Sequence, residues 1–189
     1  MANDDKLRAD AQANKDCILD AARAALSADP EASLNSIAKA ARVGAGTLYR
    51  HFPSRDALLL AVYRKEIDTL VALAPELLTK QPPLQAFRMW CDRLAKSCRM
   101  KHGIAGALHA VLSDQDFQET YWRMLDAVRQ LMNACENSGD IRPGNNAEDF
   151  LTLLGLLWRI PSTPAGEARV TGLLALAFRG LGVKDTGSV

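Results

Sequence analysis

The sequence predicts an all-α protein in which two helical domains follow one another. Apolar residues recur every three or four positions through most of the chain, which is the spacing of amphipathic helices. Glycine and proline separate these periodic segments, and no segment alternates apolar and polar residues as a strand does. With 189 residues, 48% of them hydrophobic and 24% charged, the chain is long enough for one large or two small cores.

Two helices are predicted before residue 44. The first covers residues 15–27, where apolar side chains recur after a candidate cap at Asn14. The second begins after a cap at Ser33 and carries a narrow, alanine-rich apolar stripe. The stripe stops at Gly44. Because glycine readily adopts the left-handed conformation that ends many helices, the second helix is predicted to end there.

A third and a fourth helix complete the predicted N-terminal domain. The third covers residues 45–51, and Leu48 and Phe52 lie four positions apart, so that both face the same core. The fourth opens at Ser54 and is continued by apolar residues toward Pro75. Two short helices that are joined through a glycine-containing turn form a helix-turn-helix, a motif that places its second helix in the major groove of DNA.

Charge is distributed unevenly around this motif. The net charge of +1 argues against indiscriminate binding to nucleic acid, but no acidic residue lies between Glu31 and Asp56. A local positive patch on a neutral protein favours a contact with DNA, although a solvated basic face without a partner gives the same pattern. The basic residues of this window, with the histidine beside them, are Lys39, Arg42, Arg50, His51 and Arg55.

The stretch VGAGTLYRHF, residues 43–52, places two glycines directly before polar and aromatic side chains. Gly46 and Ala45 keep the start of the third helix slim, so that its backbone can approach a DNA phosphate. Arg50 is the best candidate for a base contact, because its guanidinium can form two parallel hydrogen bonds with guanine. Two alternatives stay open: Arg50 contacts only the DNA backbone, or His51 only caps the end of the helix. The side chains expected to project from this helix are Thr47, Tyr49, Arg50 and His51.

Residues 33–63, SLNSIAKAARVGAGTLYRHFPSRDALLLAVY, resemble the DNA-binding segment of TetR-family transcriptional regulators. The resemblance implies that the recognition-helix positions are Ala45, Gly46, Thr47, Tyr49 and Arg50. It also implies that the phosphate-contacting positions are Ser33, Thr47, Tyr49, His51 and Arg55.

Three positions depart from the family pattern, which often has glycine where Arg42 stands, serine where Gly44 stands and lysine where Arg55 stands. Gly44 therefore removes a hydroxyl that could touch a phosphate, whereas Arg55 keeps the charge. Arg42 adds a hydrogen-bond donor. We include Arg42 among the DNA-binding residues without assigning its target.

The resemblance also implies a function. A homodimer of such a regulator occupies an inverted repeat in a double-stranded DNA operator, and a small-molecule effector bound to the C-terminal domain releases this repressor. The direction of control depends on the promoter, so activation stays open. The regulator is expected in the cytoplasm, with no cofactor and no contact with a membrane, since no apolar run reaches the roughly 18 residues that span a bilayer.

A change in composition predicts two domains, residues 1–74 and 75–189. In the second, amphipathic helices are predicted over residues 84–98 and 117–135, with a short helix over 103–112 between them. One set of candidates in this domain supplies aromatic and thioether surface rather than charge, which favours an apolar or aromatic effector, although a plain core has the same composition. The candidate ligand-binding residues are Phe87, Met89, Trp90, Leu108, Trp122, Met124, Leu125 and Trp158.

The last two helical segments, residues 147–160 and 167–181, are apolar on nearly all sides. A helix without a solvated face must be covered on both sides, and in a domain this small a second subunit is the simplest cover. The TetR-like resemblance implies a four-helix dimer interface here, whereas a central core helix of a monomer explains only the first segment. The candidate interface residues are Leu153, Leu154, Leu157, Val170, Leu173, Leu174, Ala177 and Phe178.

Two other function classes have weaker support. An enzyme is not favoured, because His102 and His109 stand seven positions apart without a carboxylate cluster, a phosphate-binding loop or a nucleophile motif. A redox or metal-responsive regulator of the same fold would use Cys91 and Cys98, seven positions apart, with His102 four positions further on. Core packing is the simpler interpretation of these residues. All four cysteines of the chain are interpreted as buried thiols, and no metal site is expected.

Overall fold

The computed structural model describes residues 2–101, 108 and 110–183, and in these residues it contains eight α-helices and no strand. The all-α prediction is confirmed. In chain order the helices are α1 (Ala2–Ala28), α2 (Leu34–Ala40), α3 (Ala45–His51), α4 (Arg55–Lys80), α5 (Pro83–Lys101), α6 (Asp114–Asn137), α7 (Ala147–Gly155) and α8 (Pro164–Gly180).

Two shorter segments complete this description. A 3-10 turn, Leu156–Arg159, follows α7 directly. Of the short helix predicted over residues 103–112, only residues 108 and 110–112 are described, and the first three of these are helical. Within the described ranges, no helix combines the length and the apolar character needed to cross a membrane.

Helix α1 is longer than predicted, because it begins at Ala2 rather than at residue 15. Asn14 therefore lies inside the helix, and its assignment as the N-terminal cap is wrong. The residues before it include neither glycine nor proline, and alanine, leucine, lysine and arginine among them favour a helix. The buried residues in the second half of α1 are Ile18, Leu19, Ala22 and Leu26.

Helix α2 begins as predicted but ends early. The Ser33 hydroxyl caps it by accepting a hydrogen bond from the Ser36 N–H at 3.1 Å. The helix stops at Ala40, and the left-handed residue that follows is Arg42, with φ 57°. Gly44 is instead extended, with φ −66°, and is the N-cap of α3. The prediction that Gly44 ends α2 is therefore wrong, because the turn already closes at Arg42.

Helix α4 runs through Pro75 and ends at Lys80, beyond the predicted end. Proline removes one backbone hydrogen bond from a helix interior. The turn that follows is nevertheless stabilised, because Leu77 is buried and Glu76 forms an ion pair with Lys80 at 2.6 Å. Because an exposed ion pair contributes little, the packing of Leu77 is the main support of the helix beyond the proline.

The described residues form two compact units that divide within α4. Unit 1 contains residues 2–65 with 108 and 110–112, and unit 2 contains residues 66–101 and 113–183. The division falls earlier in α4 than the predicted boundary after residue 74. On its two sides, Lys65 pairs with Asp16 and Asp20 of α1, and Glu66 pairs with Arg93 of α5.

Unit 1 is built from α1, α2, α3 and the first turns of α4. Helix α1 packs against α2 and α3, and α2 packs against α3. Their shared core holds both short helices in place, so that α3 can expose one side without losing its packing. The main residues of this core are Ile18, Leu26, Ile37, Leu48, Phe52, Leu58, Leu59 and Val62.

Unit 2 has an aromatic core to which three helices contribute. The ring of Phe87 in α5 lies 5.1 Å from that of Phe150 in α7 and 5.2 Å from that of Phe178 in α8. The buried indole N–H of Trp90 donates to the carbonyl oxygen of Leu70 in α4 at 2.8 Å. These contacts join α5, α7, α8 and the second half of α4.

Candidate nucleic-acid interface

The candidate DNA-binding residues all lie in unit 1, on one continuous stretch of chain. They occupy the cap of α2, the turn between α2 and α3, helix α3 itself and the start of α4. Because α2 and α3 pack against each other, these elements form a single basic surface segment. The nine residues are Ser33, Arg42, Ala45, Gly46, Thr47, Tyr49, Arg50, His51 and Arg55.

Helix α3 has one buried and one exposed side. Its bounds, Ala45–His51, are those predicted. Successive side chains of a helix are about 100° apart, so Leu48 points away from the side that carries residues 45, 46, 49 and 50. Leu48 is completely buried, and these four residues are exposed. Thr47 and His51, at the margins between the two sides, are half-buried.

The two large side chains of the exposed side are available to a partner. Tyr49 is 46% exposed. Arg50 donates from Nε to the Gly46 carbonyl and from Nη2 to the Thr47 hydroxyl, both at 3.4 Å. Hydrogen bonds of this length are weak, so Arg50 can exchange them for contacts with a base or a phosphate.

Packing within the chain does not require glycine at positions 44 or 46. A Cβ atom at either position would meet no other atom within 4 Å, and neither residue has a positive φ. Gly46 lies inside α3, where glycine costs about 1 kcal/mol relative to alanine. The described residues therefore give no internal reason for glycine there, which agrees with a surface that DNA approaches closely.

Ser33 and Arg55 also hold the fold of unit 1. The Ser33 oxygen accepts the capping bond of α2, and its hydroxyl hydrogen remains a donor. The half-buried Arg55 guanidinium donates to the carbonyl oxygen of Ala32 at 2.6 Å and to that of Pro30. These hydrogen bonds join α4 to the α1–α2 loop. Because the two carbonyl groups are neutral, they do not cancel the positive charge of Arg55, which remains part of the positive patch.

None of the candidate ligand-binding residues lines the cavity that the described residues of α7 and α8 form in unit 2. Met89 and Trp122 are 41% and 50% exposed, and Trp158 is half-buried. The sequence pattern could not separate exposed candidates from buried ones, because periodicity does not show which apolar helix surfaces pack against each other. The candidates that are buried are Phe87, Trp90, Leu108, Met124 and Leu125, of which Leu108 belongs to unit 1.

The cavity is a groove of about 320 Å³ between α7 with its 3-10 turn and α8. Four of its leucines are exposed: Leu153 by 53%, Leu156 by 53%, Leu173 by 40% and Leu176 by 58%. We call these four residues the leucine groove. Isolated exposed leucines are ordinary, but four that lie together on one groove make it a candidate interaction site.

Six of the eight candidate interface residues line this cavity, and some of them are also buried within the chain. Leu153 and Leu173 belong to the leucine groove, and Ala177 is half-buried. Leu156 and Leu176 also line the cavity but were not among the candidates, although each lies one helical turn beyond a candidate. Five candidates are buried within the single chain: Leu154, Leu157, Val170, Leu174 and Phe178. Three of these five, Leu154, Leu157 and Leu174, also line the cavity.

Three of the four cysteines, Cys91, Cys98 and Cys135, are buried within the chain. Cys17 is exposed on α1, so the interpretation that all four are buried is wrong for this residue. Burial raises the pKa of the Cys91 thiol well above its ordinary value and that of Cys135 to about 12, and protonated thiols are poor nucleophiles and ligands. In the described ranges no group of three histidine, cysteine or acidic residues could hold a metal. His102 and His109 lie outside these ranges.

Two family models match the chain. The model of bacterial regulatory proteins of the tetR family matches residues 18–62, and the model of the C-terminal domain of SbtR-like transcriptional regulators matches residues 82–183. The first match contains all nine candidate DNA-binding residues. The second covers more than half of the chain.

Solved structures of regulators are similar to this chain over most of their length. A TetR transcriptional regulator from Streptomyces coelicolor is 36% identical, with 88% of this chain and 97% of that one covered and a TM-score of 0.77. A TetR regulator from Mycobacterium vanbaalenii is 27% identical, with coverage of 88% and 98% and a TM-score of 0.71. NalD of Pseudomonas aeruginosa, the secondary repressor of the MexAB-OprM efflux pump, is 22% identical, covers 94% and 100%, and has a TM-score of 0.55. No curated protein matches the chain.

The fold and the matched segments define the class of protein. The first unit contains a helix-turn-helix whose exposed recognition surface carries no acidic residue, and a second helical unit follows it. This is the architecture of a DNA-binding transcriptional regulator. The chain belongs to the TetR family of bacterial transcriptional regulators. The resemblance carried by residues 33–63 is thereby confirmed.

Proposed function

We propose that this regulator binds an inverted-repeat operator as a homodimer and represses transcription until a small-molecule effector binds unit 2. The exposed side of α3 supports this proposal most directly, because four exposed residues there lie in a segment without acidic residues. Bacterial operators lie in the cytoplasm, so we place the regulator there.

A dimer follows from the size of the recognition helix. One copy of α3 has seven residues, contacts few base pairs and cannot single out one genomic site among its competitors. Two copies double the contacts and impose two-fold symmetry, with half-sites about 34 to 36 Å or a multiple of this apart. The leucine groove supplies an apolar surface for the second copy.

Duplexes selected by the purified protein from a random pool should share an inverted repeat, and a pool with no common half-site would contradict the proposal.

For the effector we propose an apolar or aromatic small molecule. The apolar interior of unit 2, with Phe87, Trp90 and Met124 among its side chains, supports this chemistry. Trp122 and Trp158 are partly exposed and can report binding through their fluorescence. A fluorescence response confined to sugars or phosphates would count against an apolar effector.

Arg50 is expected to read a base. Arg50→Ala should weaken operator binding by about 1 to 3 kcal/mol, because two parallel hydrogen bonds to a guanine are lost. Arg50→Lys is the matched control, since lysine keeps the charge but not the planar pair of donors. It should lose base discrimination and keep the wild-type salt dependence. Fluorescence anisotropy with the operator and with singly substituted duplexes measures both effects. An equal loss on all duplexes would reassign Arg50 to the DNA backbone.

Substituting Gly46 by alanine is expected to raise the stability of the protein and to lower its affinity for the operator. Gly46→Ala should raise the free energy of unfolding by about 0.5 to 1 kcal/mol, because alanine favours the helix and its Cβ meets no atom of the chain. The same Cβ lies on the side of α3 that faces DNA, so operator affinity should fall. Asn14→Ala, an exposed site inside α1, is the control: stability should rise without a change in affinity. Denaturant unfolding and anisotropy test this, and unchanged affinity in Gly46→Ala would refute the close approach.

A further inference from the structure

Three described helices end in a Schellman motif, and one of these motifs differs from the other two. In this motif the residue after the C-cap takes a positive φ, and two backbone hydrogen bonds close the turn. After α6 and α8 this residue is glycine, with φ 78° at Gly139 and 88° at Gly182. After α2 it is Arg42, with φ 57°, and within the described ranges no other residue with a Cβ has a positive φ.

The turn at Arg42 is complete, so its conformation is fixed by the same hydrogen bonds as at the glycines. The Arg42 N–H donates to the Lys39 carbonyl at 3.1 Å, and the Val43 N–H donates to the Ala38 carbonyl at 3.0 Å. A positive φ is disfavoured for any residue that carries a Cβ. The backbone at this position therefore favours glycine, and the turn itself does not explain an arginine.

The fold does not explain the arginine side chain either. Arg42 is exposed, and in the part of the chain that the structure describes no hydrogen bond or ion pair involves its guanidinium. It lies two residues before Gly44, the N-cap of α3. Its side chain therefore starts beside the end of α3 at which Ala45 and Gly46 are exposed. No acidic residue between Glu31 and Asp56 competes for its charge.

We propose that Arg42 binds a phosphate of the DNA backbone beside the groove that α3 enters. The inference rests on the proposed function and adds to it a contact that does not read sequence. A guanidinium forms short, charge-assisted hydrogen bonds with a phosphate. This contact offsets a conformation in which glycine would be more stable, and it positions the start of α3 for base contacts by the rest of the helix.

Three substitutions at this position separate the charge from the backbone strain. Arg42→Gly should raise the Tm by about 2 to 4 °C, because the strained φ is relieved. It should also lower the slope of log affinity against log salt by about 0.9 for each bound subunit, because one phosphate contact is lost. Arg42→Ala keeps the backbone strain, so it should show the same decrease in the salt slope without the increase in Tm. Arg42→Lys should keep the wild-type values of both.

Thermal unfolding and salt titrations with the selected operator and a scrambled duplex give these values. The affinity lost in Arg42→Gly should be the same on both duplexes. A wild-type slope in Arg42→Gly and Arg42→Ala, a loss confined to the operator, or a lower Tm in Arg42→Gly would each overturn the inference. Wild-type protein that bound no duplex would overturn the proposed function, and this contact with it.

Discussion

Leu176→Glu is expected to abolish specific operator binding while the chain stays folded. The Leu176 side chain is 58% exposed in the single chain, so a carboxylate there is solvated and the free energy of unfolding should change by no more than about 0.5 kcal/mol. In a dimer formed through the leucine groove, two-fold symmetry places two such charges in an apolar interface, at a cost of several kcal/mol. A loss of about 4 kcal/mol weakens association by about a thousandfold. Light scattering and operator anisotropy measure the two effects.

The control for this substitution uses the same chemistry elsewhere. Phe117 on α6 is 53% exposed, as is Leu153 in the groove, but it does not line the groove. Phe117→Glu should therefore remain a dimer and bind as the wild type does. Leu174 and Phe178 are unsuitable sites for the charge, because both are buried within the chain and their substitution would unfold it. A Leu176→Glu monomer that still protected a full inverted repeat at wild-type affinity would refute a dimeric requirement.

The sequence predicts helices well where local signals decide their ends. The bounds of α3 and the start of α2 agree with prediction, because Ser33 supplies a cap and Leu48 with Phe52 marks one buried side. The end of α4 depends instead on packing beyond Pro75, which no local signal contains. The early start of α1 depends on the summed helix propensity of a segment that lacks a clear apolar stripe.

The same distinction separates the two candidate sites. The DNA-binding residues lie on one short stretch, so the helical period alone places Tyr49 and Arg50 on the exposed side of α3. The effector and dimer residues depend on which apolar sides meet between distant helices. Periodicity therefore placed Leu153, Leu154 and Leu173 in one group and could not tell that Leu154 is buried within the chain while the other two are exposed.

At two positions between α2 and α4 the residue is not the one that the local backbone conformation favours. Arg42 has the backbone conformation of a glycine, and Gly46 occupies a helical position at which alanine would be more stable. Neither choice is explained by packing in the described residues. Local inconsistency of this kind is expected where a surface is shaped for a partner rather than for stability. Both positions lie in the segment that we propose contacts DNA.

Phe87→Ala is expected to lower the free energy of unfolding by about 3 to 5 kcal/mol, because a completely buried ring is replaced by a cavity. The substitution also removes the ring contacts to Phe150 and Phe178, which lie on the two helices that carry the leucine groove. Association of the subunits should weaken together with stability. Denaturant unfolding followed by circular dichroism, and light scattering over a dilution series, measure these effects.

Trp122→Ala is the matched control for Phe87→Ala. Both side chains are aromatic and both were candidates for the effector site, but Trp122 is 50% exposed. Its removal leaves no internal cavity, so the free energy of unfolding should change by less than about 1 kcal/mol. Truncating a side chain that lined an open effector site would change the response to the effector more than the free energy of unfolding, whereas truncating a core residue would lower the free energy of unfolding. If Phe87→Ala lost its fluorescence response to apolar effectors while its stability stayed within about 1 kcal/mol of the wild type, Phe87 would belong to the effector site and its assignment to the core would be wrong.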